Sequence, residues 1–312
     1  MVKRVVTGCV AVLLLLASCH AAAPDATAPG TVATATTAAE PAESAREQQR
    51  PAVISCEFPD TPGAHELAER IMTDQTLIQA TAGTVAFAVH DDQTGVGCER
   101  NGSAVFEAAS IIKVSTVTAL FWQAETQGLE VTEDERWLAE LAITVSDNDA
   151  QQQLWESIGG AEGVAEFFAA AGMSATTPSY EDDDWGMSEV TVGDQLRLIR
   201  HLVDGTLLNR ADSDFILDLM HRVDPEQFWG ISAGAPEDAE VMLKNGWLDD
   251  PLPCDDWAEF CEVTWTHNSI GHVASPTASY SMAVLSSGNP SHEEGQVLVS
   301  DVAARVAAAV LG

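Results

Sequence analysis

Lysine is almost missing from this chain. After Lys3 only Lys113 and Lys244 remain among 312 residues, and 14 basic residues face 48 acidic ones, a formal net charge of −34. That shortage excludes the basic stripe with which a protein displaces counterions from nucleic-acid phosphate. It also removes the electrostatic pull toward anionic lipid headgroups that lysine clusters supply. An acidic surface of this kind keeps a protein soluble. C-x-x-C and H-x-x-x-H spacings are absent, which leaves a zinc site unsupported, and His267 and His272 read as ordinary surface or core histidines. There is no internal repeat, and no motif implies a metal, nucleotide or organic cofactor.

Aromatic rings of the Phe, Trp and Tyr kind are missing from residues 20–50, a stretch made mostly of Ala, Thr, Pro and Glu. It cannot bury enough apolar surface to offset the entropy of ordering, so it reads as a disordered tether. Before it, Lys3 and Arg4 precede an apolar run from Val5 to Ala17 that is too short to span a bilayer. The run ends Leu16-Ala17-Ser18-Cys19, and small residues before a cysteine resemble the bacterial lipobox, whose cysteine becomes the lipidated first residue. A plain secretory signal with an incidental cysteine is the alternative. The expectation is a signal peptide over 1–18, lipid on Cys19, a tether over 19–55 and a folded domain over 56–312, monomeric and held at the outer face of the cell membrane.

Four cysteines fall in the folded part: Cys56, Cys98, Cys254 and Cys261. An even number in an exported chain suggests two disulfides. Local spacing favours Cys254 with Cys261 and leaves Cys56 with Cys98, although four thiols allow three connectivities.

The patterning predicts a helix from Pro62 to Ala80, strands over Thr84–His90 and through Val96 and Cys98, and a strongly apolar helix from Ser110 to Gln127. A helical middle section over Thr132–Gly172 and a helix over Val192–Leu207 follow. The last third returns to strands at Glu240–Leu248, Glu262–Asn268 and Ser279–Ser286. A closing helix opens with Ser291-His292-Glu293-Glu294, a capping-box pattern. The order predicts an α+β fold: a five-stranded antiparallel sheet with terminal helices on one face, plus an α-helical lobe.

Each of the two lysines stands in a short motif. Ser110-Ile111-Ile112-Lys113 places a hydroxyl and an amine on one helical face, since residues three apart are neighbours. A serine is a poor nucleophile until something takes its proton, and burial pushes a lysine toward its neutral, proton-accepting form. Ser110 also opens its helix, where backbone N–H groups favour a developing oxyanion. A surface lysine on an amphipathic helix is the plainer alternative; Ile111, Ile112 and Val114 argue for burial.

Ser110-x-x-Lys113, then Ser146-Asp147-Asn148, then Lys244-x-Gly246 resembles the active-site set of the serine β-lactamases and penicillin-binding proteins, closest to class A, and the lipoproteins built on that fold in actinobacteria. Leu138 to Asn148, followed by Ile158-Gly159-Gly160, is similar to the matching class A segment. The resemblance runs from about Thr84 to the end. It implies that Ser110 attacks a carbonyl, Lys113 accepts its proton, and Ser146 passes a proton to the leaving nitrogen. It further implies that Asn148 donates to a substrate amide, that Lys244 and Asn245 draw in a substrate carboxylate, and that the backbone N–H groups of Ser110 and Trp247, beside Gly246, form the oxyanion hole. The ligand class is a β-lactam or an acyl-D-amino-acid peptide. Two departures stand out: Asn245 replaces the usual Thr or Ser, and Trp185 occupies the asparagine position of the loop that positions the deacylating water. Glu181 is the candidate carboxylate there, with Asp182 beside it; a merely solvated acidic loop is the alternative. A non-catalytic lipoprotein that binds a peptide or protein in the cleft remains the second functional reading.

Overall fold

Strand β2, Val85–Asp91, alternates large and small apolar residues, and that alternation sorts the molecule into layers. The computed structural model describes residues 53–80, 84–181, 184–251 and 263–312. The expected signal peptide, most of the tether, Cys19, Asp182, Cys254 and Cys261 lie outside the described residues. On one face of β2, Val85, Phe87 and Val89 are buried with Leu67 and Ile71 of α1 (Pro62–Thr73), Leu77 of α2 (Gln75–Ala80) and Val299, Val302 and Val306 of α9 (His292–Leu311). On the other, Ala86 and Ala88 share a cluster with α3 (Ile112–Gln127) and α7 (Val192–Asp204). Burying one large side chain such as Phe87 contributes about 1.5–3 kcal/mol.

Beside β2 lie β3 (Val96–Arg100) and, across it, β8 (Ser279–Asn289), then β7 (Val263–Ala274) and β6 (Glu240–Pro251), every pairing antiparallel. The sheet carries one strand more than expected. β1, Ser55–Glu57, adds to the free edge of β3, giving the order β1-β3-β2-β8-β7-β6. Three residues are too short for period-two alternation to register, which is why the sequence did not reveal it. In that register Cys56 stands directly opposite Cys98, and the two form the expected disulfide with Cα atoms 4.0 Å apart.

The helix expected over Pro62–Ala80 is two helices. Asp74 leaves the helical region (ψ 101°), and its carboxylate accepts from the N–H groups of Thr76 at 2.8 Å and Leu77 at 3.1 Å, capping α2. The lobe holds α3, α4 (Glu133–Thr144), α5 (Asn148–Ser157), α6 (Gly160–Ala170), α7 and α8 (Arg210–His221), with a two-residue ladder joining β4 (Phe106–Glu107) to β5 (Glu189–Val190). Thr132 and Glu135 close a full capping box on α4. On α9 only half of the expected box forms. Ser291 accepts from the Glu294 N–H at 3.2 Å, but the Glu294 carboxylate takes the Ser291 hydroxyl instead of its backbone N–H.

Candidate active site

The short α4–α5 connection sets the first half of the site. Asp147 caps α5 by accepting from the Ala150 N–H at 2.8 Å. The residue before it, Ser146, is forced into the left-handed region at φ 58°. A non-glycine residue there costs of order 1–3 kcal/mol and persists only where the surroundings hold it. Here Lys113 from α3 holds it. The fully buried ammonium donates to the Ser146 carbonyl at 2.6 Å, to Ser146 Oγ at 3.1 Å and to Asn148 Oδ1 at 2.7 Å.

Strand β6, at the sheet edge, supplies the second half. Lys244, also fully buried, donates to Ser146 Oγ at 3.0 Å, to its neighbour's carbonyl, Asn245 O, at 2.7 Å and to Gln227 Oε1 at 3.4 Å. One hydroxyl thus lies between two ammonium groups. Burial pushes the Lys113 pKa down to about 7, opposed in part by the Asp147 carboxylate. Burial lowers Lys244 well below its ordinary value, and the charge of Lys113 lowers it further.

Ser110 enters the site on a strained turn. Ala109 has φ 50°, and Ala109–Ile111 forms a single 3₁₀ turn that runs into α3. Gly246 explains why the third motif needs glycine: a Cβ there would stand 2.7 Å from Ser110 N, 2.9 Å from Ile111 N and 3.1 Å from Ala108 O, all backbone atoms. The N–H groups of Ser110 and Trp247, the expected oxyanion donors, therefore sit on two segments in direct contact. Asn268 on β7, paired with Gly246, donates Nδ2 to Glu107 O at 2.8 Å and Ala108 O at 3.0 Å, clamping the chain that leads to Ser110. Ser110 is half-buried, and its hydroxyl bonds to no described residue.

Not every sequence candidate arrives where expected. Asn245 is buried and its amide is already engaged: Nδ2 donates to Gln227 O at 2.6 Å and Trp229 O at 3.2 Å. It latches the 225–229 loop to β6, which replaces the expected donation to a ligand carboxylate. Trp247 is 37% exposed and packs against Trp229 and His292. His267 and His272 are both buried, and His267 lies 3.0 Å from His292. Glu181 is exposed and lines an outer pocket with Gln152, Trp155 and Glu156, hydrogen-bonded to neither Ser110 nor Lys113. From the same loop it is Trp185 that reaches the site, its ring 5.0 Å from the Lys113 ammonium.

Three residues of the site were not foreseen. Gln227 sits in an irregular loop with no pattern to flag it. Asn268 could have been noticed as an amide inside an apolar strand. Glu107, three residues before Ser110, is pushed up to about 7 by burial and by its hydrogen bond with Asp250.

A helical lobe set against an antiparallel sheet, with a helix-borne Ser-x-x-Lys facing a Lys-x-Gly on the edge strand, is the architecture of the serine β-lactamases and penicillin-binding proteins. The chain belongs to the β-lactamase enzyme family, whose model matches residues 67–135 and 133–310. No curated protein matches it in sequence. Among solved structures it is similar to PBP-A, with TM-score 0.63 and 20% identity over 82% of this chain and 98% of that one. A β-lactamase from Chitinophaga pinensis gives 0.62 and 19% over 76% and 97%. One from Xanthomonas campestris gives 0.63 and 16% over 80% and 98%. At such identities the likeness speaks for the fold alone.

Proposed function

We propose that this protein is a lipid-anchored serine hydrolase that forms an acyl-enzyme on Ser110 with β-lactams or a related cell-wall peptide, and that its adduct is released slowly. The observation that carries the reading is the Ser146 hydroxyl, held 3.1 Å from Lys113 Nζ and 3.0 Å from Lys244 Nζ. The other acceptors of both lysines are carbonyl oxygens, which can only accept. A neutral amine at either position keeps two N–H bonds to those carbonyls and turns its lone pair toward the Ser146 O–H. Ser146 is then the one group able to exchange a proton with both.

The chemistry follows. Neutral Lys113 swings its lone pair from Ser146 to Ser110 and takes the proton as Ser110 Oγ bonds to the carbonyl carbon. The oxyanion is met by the N–H groups of Ser110 and Trp247; losing one such donor typically costs about 2.7–4 kcal/mol of barrier. As the carbon–nitrogen bond breaks, the leaving nitrogen takes the Ser146 proton, and Lys113 returns one to Ser146. Slow release follows from the loop. Glu181 faces the outer pocket and Trp185 covers Lys113, so among the described residues no carboxylate stands ready to activate water at the ester. One solved relative is described as an acyl-enzyme complex of a PBP-A mutant with penicillin G, which supports the same ligand class here.

Cys19 carries the lipid, the chain between it and β1 forms the tether, and the catalytic domain stands on the outer face of the membrane as a monomer. Cys19→Ala would release the protein to the medium. The test of activity is incubation with a fluorescent penicillin followed by intact-mass analysis. A persistent adduct on Ser110, lost in Ser110→Ala, is expected; no adduct after hours would remove the reading. The second reading, a cleft that only binds a peptide or protein, draws on the full complement of internal acceptors around both ammoniums. A biological phenotype unchanged in Ser110→Ala would favour it.

A further inference from the structure

We propose that Gln227 is the specificity-determining residue of the Ser110 cleft, an internal stand-in for a ligand carboxylate that favours acyl donors lacking a negative charge beside the scissile bond. The inference rests on Ser110 being acylated as proposed above, and names the class of donor it prefers.

A lysine ammonium has three N–H donors and no acceptor. Lys244 spends them on Ser146 Oγ, Asn245 O and Gln227 Oε1. Lys113 spends its three on Ser146 O, Ser146 Oγ and Asn148 Oδ1. A carboxylate entering beside Ser110 therefore finds no free ammonium N–H and must displace an internal acceptor. Gln227 Oε1 is the partner that can leave: at 3.4 Å it makes the longest of the six bonds, and it is the only one contributed by a loop outside the three motifs.

The loop is nevertheless held in place deliberately. Both N–H groups of Asn245 are directed at its carbonyls, Gln227 O and Trp229 O. A single hydroxyl, as in Thr or Ser, has one proton and could not bridge both. The unusual residue of the third motif and the plug on Lys244 are thus one device. The surroundings act in the same direction. The formal charge of −34 repels anions, and Trp229, two residues after Gln227, packs against the 37% exposed Trp247, an apolar pair beside the plug.

The test uses the full chain and two probes, benzylpenicillin and its methyl ester, in which one methyl group removes the charge, with acylation of Ser110 followed by intact mass. In the wild type the neutral ester reacts about threefold faster than the acid. Gln227→Ala accelerates the acid by about tenfold and leaves the ester within about twofold, whereas the near-isosteric Gln227→Glu slows the acid by about tenfold. A wild type that reacts faster with the acid than with the ester overturns the proposal, as does a Gln227→Ala variant that speeds both probes equally. Benzylpenicilloate, which carries carboxylates and cannot acylate, supplies a readout independent of chemistry. It raises the melting temperature of Gln227→Ala more than that of the wild type, and equal shifts overturn the gate. If no probe ever labels Ser110 while the melting shifts still differ, the hydrolase reading fails and the gate stands.

Discussion

Gly246→Ala is the sharpest single test of how this site is assembled. The added Cβ would lie 2.7 Å from Ser110 N and 2.9 Å from Ile111 N, where ordinary contact begins near 3.4 Å. The turn bearing the nucleophile must then retreat by the difference, 3.4 − 2.7 = 0.7 Å, or β6 must move away from it. Neither yields cheaply. β6 is paired along its whole length with β7, and the turn is clamped by the two Asn268 hydrogen bonds. Overpacking of this kind costs about 1–3 kcal/mol. In a domain of this size that is a fall in melting temperature of about 2–4 °C per kcal/mol. Function should suffer more than stability. A misplacement of about 1 Å between reacting groups costs roughly a hundredfold, so 0.7 Å predicts a loss of some tens-fold in the acylation rate of Ser110. Stopped-time mass spectrometry with a fluorescent penicillin, beside thermal melts, reads both quantities. A variant that acylates at the wild-type rate would refute the idea that contact between β6 and the 109–111 turn sets the oxyanion geometry.

Acylation should rise with pH through about 7, as Lys113 loses its proton. Asp147→Asn keeps the α5 cap but removes the charge that raises Lys113, so the profile shifts toward acid; a shift toward base would contradict the assignment. Cutting the Cys56–Cys98 disulfide by changing both residues to Ser opens a loop of 42 residues. That removes about 4 kcal/mol on the chain-entropy account, read by urea melts. Glu107 has a raised pKa in the folded state, so the stability it contributes is fully present below the ordinary value of 4.5 and is lost as pH rises toward about 7. Glu107→Gln should therefore melt like the wild type at pH about 4 and be more stable at pH about 8, by about 1 kcal/mol after solvent screening. Identical melts at both values would reject the shift.

The two lysines and their motifs were legible because chemistry of this kind needs particular residue types at fixed offsets, and a chain nearly free of lysine makes the survivors conspicuous. The sheet and the helical lobe were legible through periodicity. What escaped was set by contacts distant in sequence or too brief to have a period. β1 is three residues and declares itself only by pairing with β3. The break at Asp74 depended on a side chain turning back on its own backbone. Asn245 has the same identity whether it faces a ligand or latches a loop, and only the fold brings Gln227 and Trp229 beneath it. Asn268 acts through two hydrogen bonds across 161 and 160 residues and Gln227 meets Lys244 across 17, which no local pattern encodes.

The cost of the two lysines is itself an argument about function. Taking an ammonium out of water costs several kcal/mol even after relaxation, and a like charge nearby adds to it. The usual remedy is a carboxylate partner, yet among the described residues both lysines are hydrogen-bonded to neutral oxygens alone. Asp147 acts on Lys113 only through its charge, and the charge felt by Lys244 is that of Lys113. A protein that needed only shape here would do better with methionine or leucine, since apolar replacements of buried ions are often neutral or stabilising. Neutral partners leave the Lys113 amine free to lose and regain a proton near pH 7, which a tight ion pair would forbid. Replacing Lys113 by Met removes a buried charge but leaves Ser146 O and Asn148 Oδ1 without their donor, so it should cost no more than about 1–3 kcal/mol of stability while abolishing acylation of Ser110. A variant that lost stability and kept acylation would show that the amine is there to hold the fold.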